Sequence, residues 1–444
     1  MTDSVPEPVT QVGHLDGGLR VVSQADPAAV SVNVGAWVGV GNRDEPAEIA
    51  GVSHFLEHLL FKGSSRRSAA RDRRGCRRGR RRSQRLHLEG VHGLPRPRAA
   101  KDLDFGLDTL LDVIADPGFS DRDVDSERRV ILEELSWSAD TPDDLVHQNL
   151  GLGLFPDHPL GWEVLGTPTS VRSVQPDDVR AFHDRWYRRA NLVISVVGPV
   201  DHDEVCERVD AALAGVAAGD RPARVAPTAA PEAEVEVRRE IEQAHVALGW
   251  RGLHHDDPDR FAMAVANQLV GGGWSSRLFQ EIREVRGMSY TVYSAASSYG
   301  DAGAWSLYAG TAPDQLDELC GVVDAELADL VENGPSEREL DVARGGFEGG
   351  TLPRSRTRAA GWPSSPRTFS CVIGWWRSTT TWPTSAPSPP TTSAGCWRVA
   401  AGPRTRSLVV PRHDVRRRGH PPQSSIRRHR LRIVPMPSIS VVTT

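Results

Sequence analysis

His54, Glu57 and His58 fall in the run Gly51-Val52-Ser53-His54-Phe55-Leu56-Glu57-His58-Leu59-Leu60-Phe61. The run reads as a mostly buried helix, and residues four apart on a helix share a face. The two imidazoles can therefore close on one metal ion, with Glu57 bordering the same face. Two neutral nitrogen ligands beside an unligated carboxylate suit zinc-assisted hydrolysis. The metal acidifies a bound water and the carboxylate takes its proton. The order His-x-x-Glu-His is the inverse of the common zinc-protease pattern. A histidine pair at this spacing also occurs on ordinary polar faces. Here Leu, Phe and Val surround it, and polar groups in such surroundings are costly unless paired or coordinated.

Zinc takes a third protein ligand and leaves a position for water. Ser126 to Leu135 reads as a second helix, with Val130, Ile131 and Leu135 as its core stripe and Glu127 and Glu134 seven apart near one face. Glutamates so placed also serve as a solvated acidic face, so spacing leaves both readings open.

Taken together, Gly51–Gly63 and Ser126–Leu135 resemble the pitrilysin/insulinase family of zinc metallopeptidases, nearest its mitochondrial-processing-peptidase-like bacterial branch. The 75 residues between His58 and Glu134 suit that family. The resemblance implies one Zn2+ per chain held by His54, His58 and Glu134, with Glu127 as companion and Glu57 as general base. A connector at Phe155–Gly161 and Gly166-Thr167 continues it. So does Gly271–Tyr290, where the family places an Arg and a Tyr at the substrate carbonyl, by position Arg283 and Tyr290. Read without the family, these two are a surface helix residue and a strand residue.

The elements that must position these groups follow a helix-then-strand order. An amphipathic helix over 177–187, entered through Pro176, precedes a buried strand at Asn191–Gly198. Residues 214–232 are rich in Ala, Pro and Gly and read as a linker. Beyond it the opening pattern repeats in degenerate form. Val235–Val237 and Ala244–Arg251 match Leu19–Val22 and Val30–Trp37, and Phe261–Leu269 stands where the metal helix stood, without its motif. The expected fold is α+β in α/β layers. Two similar domains, 1–213 and 233–350, would each be a mostly antiparallel sheet with helices on one face, forming a peptidase clamshell.

Two stretches do not fit. Residues 71–98 hold eleven Arg against two acids, and residues 351–444 hold sixteen Arg, thirteen Pro and five Trp against Asp414 alone. The other 322 residues carry 26 basic and 55 acidic groups, so the formal net charge of −5 averages two unlike populations. A phosphate-binding arm, a solvated tail and a shifted reading frame compete. All but two of the 53 basic residues are Arg, and Ser, Pro and Trp crowd the same stretches, which favours the frame shift. On that reading the last helices and strand of the second domain are lost and 351–444 is disordered.

Among partners, a peptide substrate is expected, with a homodimer or a paired peptidase subunit, and neither a specific nucleic acid nor a membrane. No run of 18 apolar residues and no basic, apolar start is present, so a cytoplasmic place is expected. Cys206 and Cys320, the cysteines outside the two odd stretches, are too few for a disulfide framework. The expected activity is zinc-dependent endopeptidase cleavage. The alternatives are a non-catalytic peptide-binding subunit and an inert frame-shifted product.

Overall fold

The computed structural model describes residues 9–64, 66, 102–229, 232–351 and 404–411, and the backbone of three short strands between 86 and 99. Two compact units emerge. Among the described residues no helix is long and apolar enough to cross a membrane.

The first unit is built on the strands β1 (Val9–His14), β2 (Arg20–Ala25), β3 (Ser31–Val38), β4 (Leu86–Leu88), β5 (Val91–Gly93), β6 (Arg96–Ala99) and β7 (Leu192–Gly198). Their order is β1-β2-β7-β3-β5-β4, with β6 also on β3. The β2–β7 pair is parallel and the others are antiparallel. Alternate residues point to opposite faces. Val32, Val34, Ala36 and Val38 thus meet Leu192, Ile194 and Val196 in one core under the helices.

Those helices are α1 (Val52–Leu60), α2 (Leu103–Ala115), α3 (Asp121–Asp140), α5 (Pro168–Ser173), α6 (Pro176–Trp186) and α7 (His202–Ala212). Leu107, Leu110, Leu111 and Ile114 bury the expected stripe of α2. On α3 the buried stripe is Val124, Glu127, Ile131, Leu135 and Ser138. Val130, expected in it, is instead 41% exposed, because it lies one residue off the three-and-four spacing that the stripe follows.

In the second unit the sheet order is β10-β11-β9-β12-β8. Its strands are β8 (Ala233–Arg239), β9 (Ala244–Gly252), β10 (Ser289–Ser298), β11 (Gly303–Thr311) and β12 (Arg404–Pro411). The helices α8 (Arg260–Val270), α9 (Leu316–Asn333) and, as far as Phe347, α10 (Glu337–Thr351) belong to the same unit. Residues of α8 and α9 share a core with Ala244, Val246, Leu248 and Trp250 of β9.

The sequence repeat becomes a repeat of topology. In the first sheet β7 enters late, parallel to β2 and antiparallel to β3. In the second, β12 enters late, parallel to β8 and antiparallel to β9. This overturns the expectation that the last strand of the second domain is lost. Residues 404–411 form an inner strand, with Leu408 and Val409 fully or nearly fully buried. The rest of 352–444 lies outside the described residues, as does most of 71–98, where β4 to β6 extend the first sheet.

A second departure concerns α4 (Pro142–Leu154). Residues 141–157, assigned by sequence to the first domain, group with the second unit. The helix lies on the face of the second sheet opposite its core. Gly249 of β9 leaves room for Leu150 and Leu154, and Gly153 of α4 approaches Thr405 of β12. The sheet therefore carries helices on both faces, more than the single covered face expected.

Residues 214–229 carry neither helix nor strand, in keeping with a linker. It is nonetheless pinned to the first unit near residues 224 and 225. Arg224 donates to both oxygens of buried Asp44, at 2.9 and 2.7 Å. His158 Nε2 lies 3.0 Å from the Val225 carbonyl.

Candidate metal centre

α1 begins at Gly51, whose φ of 93° suits glycine. A Cβ there would lie 2.5 Å from the Leu165 carbonyl oxygen. Nearly every residue of the helix is buried, so its polar members are held on all sides. His54 and His58 lie one turn apart with their rings tilted at 56° and centroids 4.6 Å apart.

Against them lies α3. His54 Nε2 is 3.1 Å and His58 Nε2 3.7 Å from the same Glu134 oxygen. One ligand atom from each of the three residues lies within 4.8 Å of the others. Glu134 is 41% exposed while the histidines are largely buried, so the group opens to solvent on the glutamate side.

Glu127, two turns before Glu134, is buried. The His58 Nδ1–H donates to Glu127 Oε2 at 2.9 Å. An ionised carboxylate can only accept, so Nδ1 is the donor in this contact and Nε2 is the nitrogen turned toward Glu134. Lys62 closes on the other Glu127 oxygen as an ion pair. Lys62 stands four residues after His58, just past the C-terminal end of α1.

Glu57 is buried on α1. Tyr187, also buried, has its phenol pKa driven upward by burial and further by the charge of Glu57. Glu45 lies at the start of the helix, accepting from the Gly51 and Ser53 amides at 2.6 and 2.7 Å. Burial pushes its carboxyl up to about 7 against the lowering effect of those bonds.

Arg283 and Tyr290 belong to the second unit and meet each other there. Arg283 Cζ sits 4.5 Å over the Tyr290 ring and 4.7 Å over Phe279, distances at which a guanidinium is held by the ring face. Tyr290 is 79% exposed. The expected helix before Gly287 takes the wider π form over Phe279–Val285, a form that recurs at functional sites.

Of the expected residues, His54, His58, Glu134, Glu127 and Glu57 thus share one pair of helices. The sequence reading missed Lys62 and Glu45. Lys62, in the turn just after α1, had no helical spacing to mark it. Glu45, a cap supplied from outside the helix, had no local signal.

Comparison with known proteins fits this geometry. The family described as insulinase, peptidase family M16, matches residues 20–73. The peptidase M16 inactive domain matches residues 173–347. A Streptomyces coelicolor protein named an uncharacterized zinc protease is 38% identical over 358 residues, covering 76% of this chain and 75% of the relative. This chain belongs to the insulinase family, peptidase family M16. A Bacillus subtilis member, also named an uncharacterized zinc protease, is 32% identical over 347 residues, 76% of this chain and 82% of the relative. In fold, the chain resembles a protease from Helicobacter pylori, with a TM-score of 0.78 at 20% identity over 91% of this chain and all of that one. It resembles equally a peptidase M16 inactive domain from Pseudomonas fluorescens, with a TM-score of 0.78 at 18% identity over 90% and 98% of the two chains. The match to the inactive domain spans α8, which lacks the His-x-x-Glu-His motif, and leaves α1 and Glu134 outside it.

Proposed function

We propose that the chain is a zinc-dependent metalloendopeptidase acting on peptides or unfolded protein segments. One observation carries this reading: His54, His58 and Glu134 converge while Glu127 holds the Nδ1 side of His58. Two imidazoles and a carboxylate are a donor set that zinc accepts in hydrolytic sites. When bound, zinc supplies Lewis acidity, lowering the pKa of a coordinated water and polarising a carbonyl. Glu57 takes the proton of the attacking water and delivers it to the leaving amine. Arg283 and Tyr290 take the substrate-binding role that the family resemblance assigns them, offering a guanidinium and a phenol to a developing oxyanion. The relatives' naming as zinc proteases supports the metal and the reaction class.

The test uses the full chain. Metal analysis should find about one zinc per chain, bound far more weakly but still measurably in His54→Ala and in Glu134→Gln. Glu57→Gln should keep the zinc and lose peptide cleavage by roughly 10²- to 10⁴-fold, the scale of general-base catalysis. Full activity in Glu57→Gln would sink the mechanism. A zinc-loaded chain that cleaves no peptide in a diverse library would favour the non-catalytic subunit.

The frame-shift reading of 71–98 and 351–444 stands beside this proposal. The family matches stop at residues 73 and 347, close to where those stretches begin. Resequencing the gene across codons 68–102 and 346–360 tests it.

A further inference from the structure

The start of α1 poses a physical problem. Gly51, its N-cap, has no side chain, and the close approach of Leu165 forbids one. The first amides of a helix have no partner within the helix and normally bond a Ser, Thr, Asp or Asn at that position. Glu45, six residues upstream, takes over that work. One carboxylate oxygen accepts from Gly51 N and the other from Ser53 N, at 2.6 and 2.7 Å, and both bonds are buried. The same turn is held from its other side by Ser170, whose hydroxyl donates to the Ala50 carbonyl at 2.7 Å. Gly166 lies so close to Ala50 that a Cβ on it would overlap the Ala50 carbonyl oxygen.

His54 sits in this first turn, whereas His58 lies one turn on and is fixed separately by Glu127. The placing of His54 against Glu134 therefore depends on how the first turn is anchored. We propose that Glu45 is a positioning residue for the metal centre, capping α1 through Gly51 and Ser53 so that His54 Nε2 is held toward Glu134. The inference rests on the metal-centre reading above.

Glu45→Gln is the test, because the amide matches the carboxylate in size but offers one accepting oxygen where two are needed. Zinc affinity would be measured by competition with a chelator, and site geometry by the visible spectrum of the cobalt(II)-substituted full chain. The variant should bind zinc roughly tenfold more weakly, the low end of what outer partners of metal ligands are worth, with an altered cobalt spectrum. In a His54→Ala background Glu45→Gln should add little, since the route to the metal has already been cut. If the unsubstituted chain takes up no stoichiometric zinc, the metal-centre reading fails. If it does, and Glu45→Gln matches it in affinity and spectrum, the positioning role fails alone. An equal loss with and without His54 would mark a merely structural residue and also overturn it. Should Glu45→Gln not fold, Ser170→Ala loosens the same turn, and about threefold weaker zinc binding is expected; unchanged affinity there overturns the inference.

Discussion

His58 Nδ1 and Glu127 Oε2 lie 2.9 Å apart, both buried, and Lys62 pairs with the other Glu127 oxygen. The three side chains form a line leading to the Nε2 that faces Glu134. Replacing Glu127 by Gln leaves an amide that cannot serve both neighbours as an acceptor. Its NH2 must face either the Lys62 ammonium or the His58 N–H. The expected outcome is zinc binding weakened by 10- to 100-fold, with the fold intact. Because Lys62 acts through Glu127, Lys62→Met should weaken zinc less, and the double variant should be no worse than Glu127→Gln alone. Chelator competition on the three variants measures this, and unchanged affinity in Glu127→Gln would remove the role assigned to the line.

The inner place of β12 makes a prediction opposite to the expectation of a dispensable tail. Val409 is wholly buried in a strand hydrogen-bonded on both sides. Thr405, four residues before it and so on the same face, touches α4, and Leu408 enters the helix-covered core. Val409→Asp places an unpaired carboxylate there and should cost on the order of 3 kcal/mol or more. Ending the chain after residue 351 should do worse, leaving β8 and β9 without the strand that joins them. Hydrogen exchange should show β8 and β9 losing protection while the first sheet keeps its own. Retained protection across β8 and β9 in the truncated chain would contradict the pairing.

How far the sequence disclosed all this depended on the range of each signal. The zinc-type helix was legible because ligand spacing and helical period coincide within one turn. Glu127 and Glu134 were legible as a pair for the same reason, although only the resemblance gave them separate roles. β12 was hidden because Arg404-Thr405-Arg406-Ser407-Leu408-Val409-Val410 sits in an Arg- and Pro-rich stretch. Its eight residues became a strand through a slot made by β8 and β9, strands more than 150 residues upstream. α4 was misassigned because chain position suggested the first domain. Its packing partners, Gly249 and Thr405, lie far along the chain. Val130 failed on phase, one residue away from the stripe that α3 buries.

Acid should loosen the second unit through Arg277. This guanidinium, 15% exposed, donates to both Glu339 oxygens at 2.6 and 3.2 Å and to Asp329 at 2.6 Å, tying the segment before the π-helix to α9 and α10. The Arg277 hydrogen bonds, joined by those of Ser336, hold the Glu339 carboxyl down to about 2, against 4.5 ordinarily. A carboxyl whose pKa is depressed by folding binds fewer protons folded than unfolded. Its contribution is therefore full above about 4.5 and is lost as pH falls from there toward 2. Stability of the second unit should decline over that window, and Glu339→Gln should flatten that part of the profile while lowering stability at pH 7. Arg277→Met should lower stability at neutral pH, because it removes the donor shared by Glu339 and Asp329. Denaturant titrations at a series of pH values, followed by a probe in the second unit, would measure both effects. An acid profile identical in the chain and in Glu339→Gln would show that this ion pair does not govern the acid response.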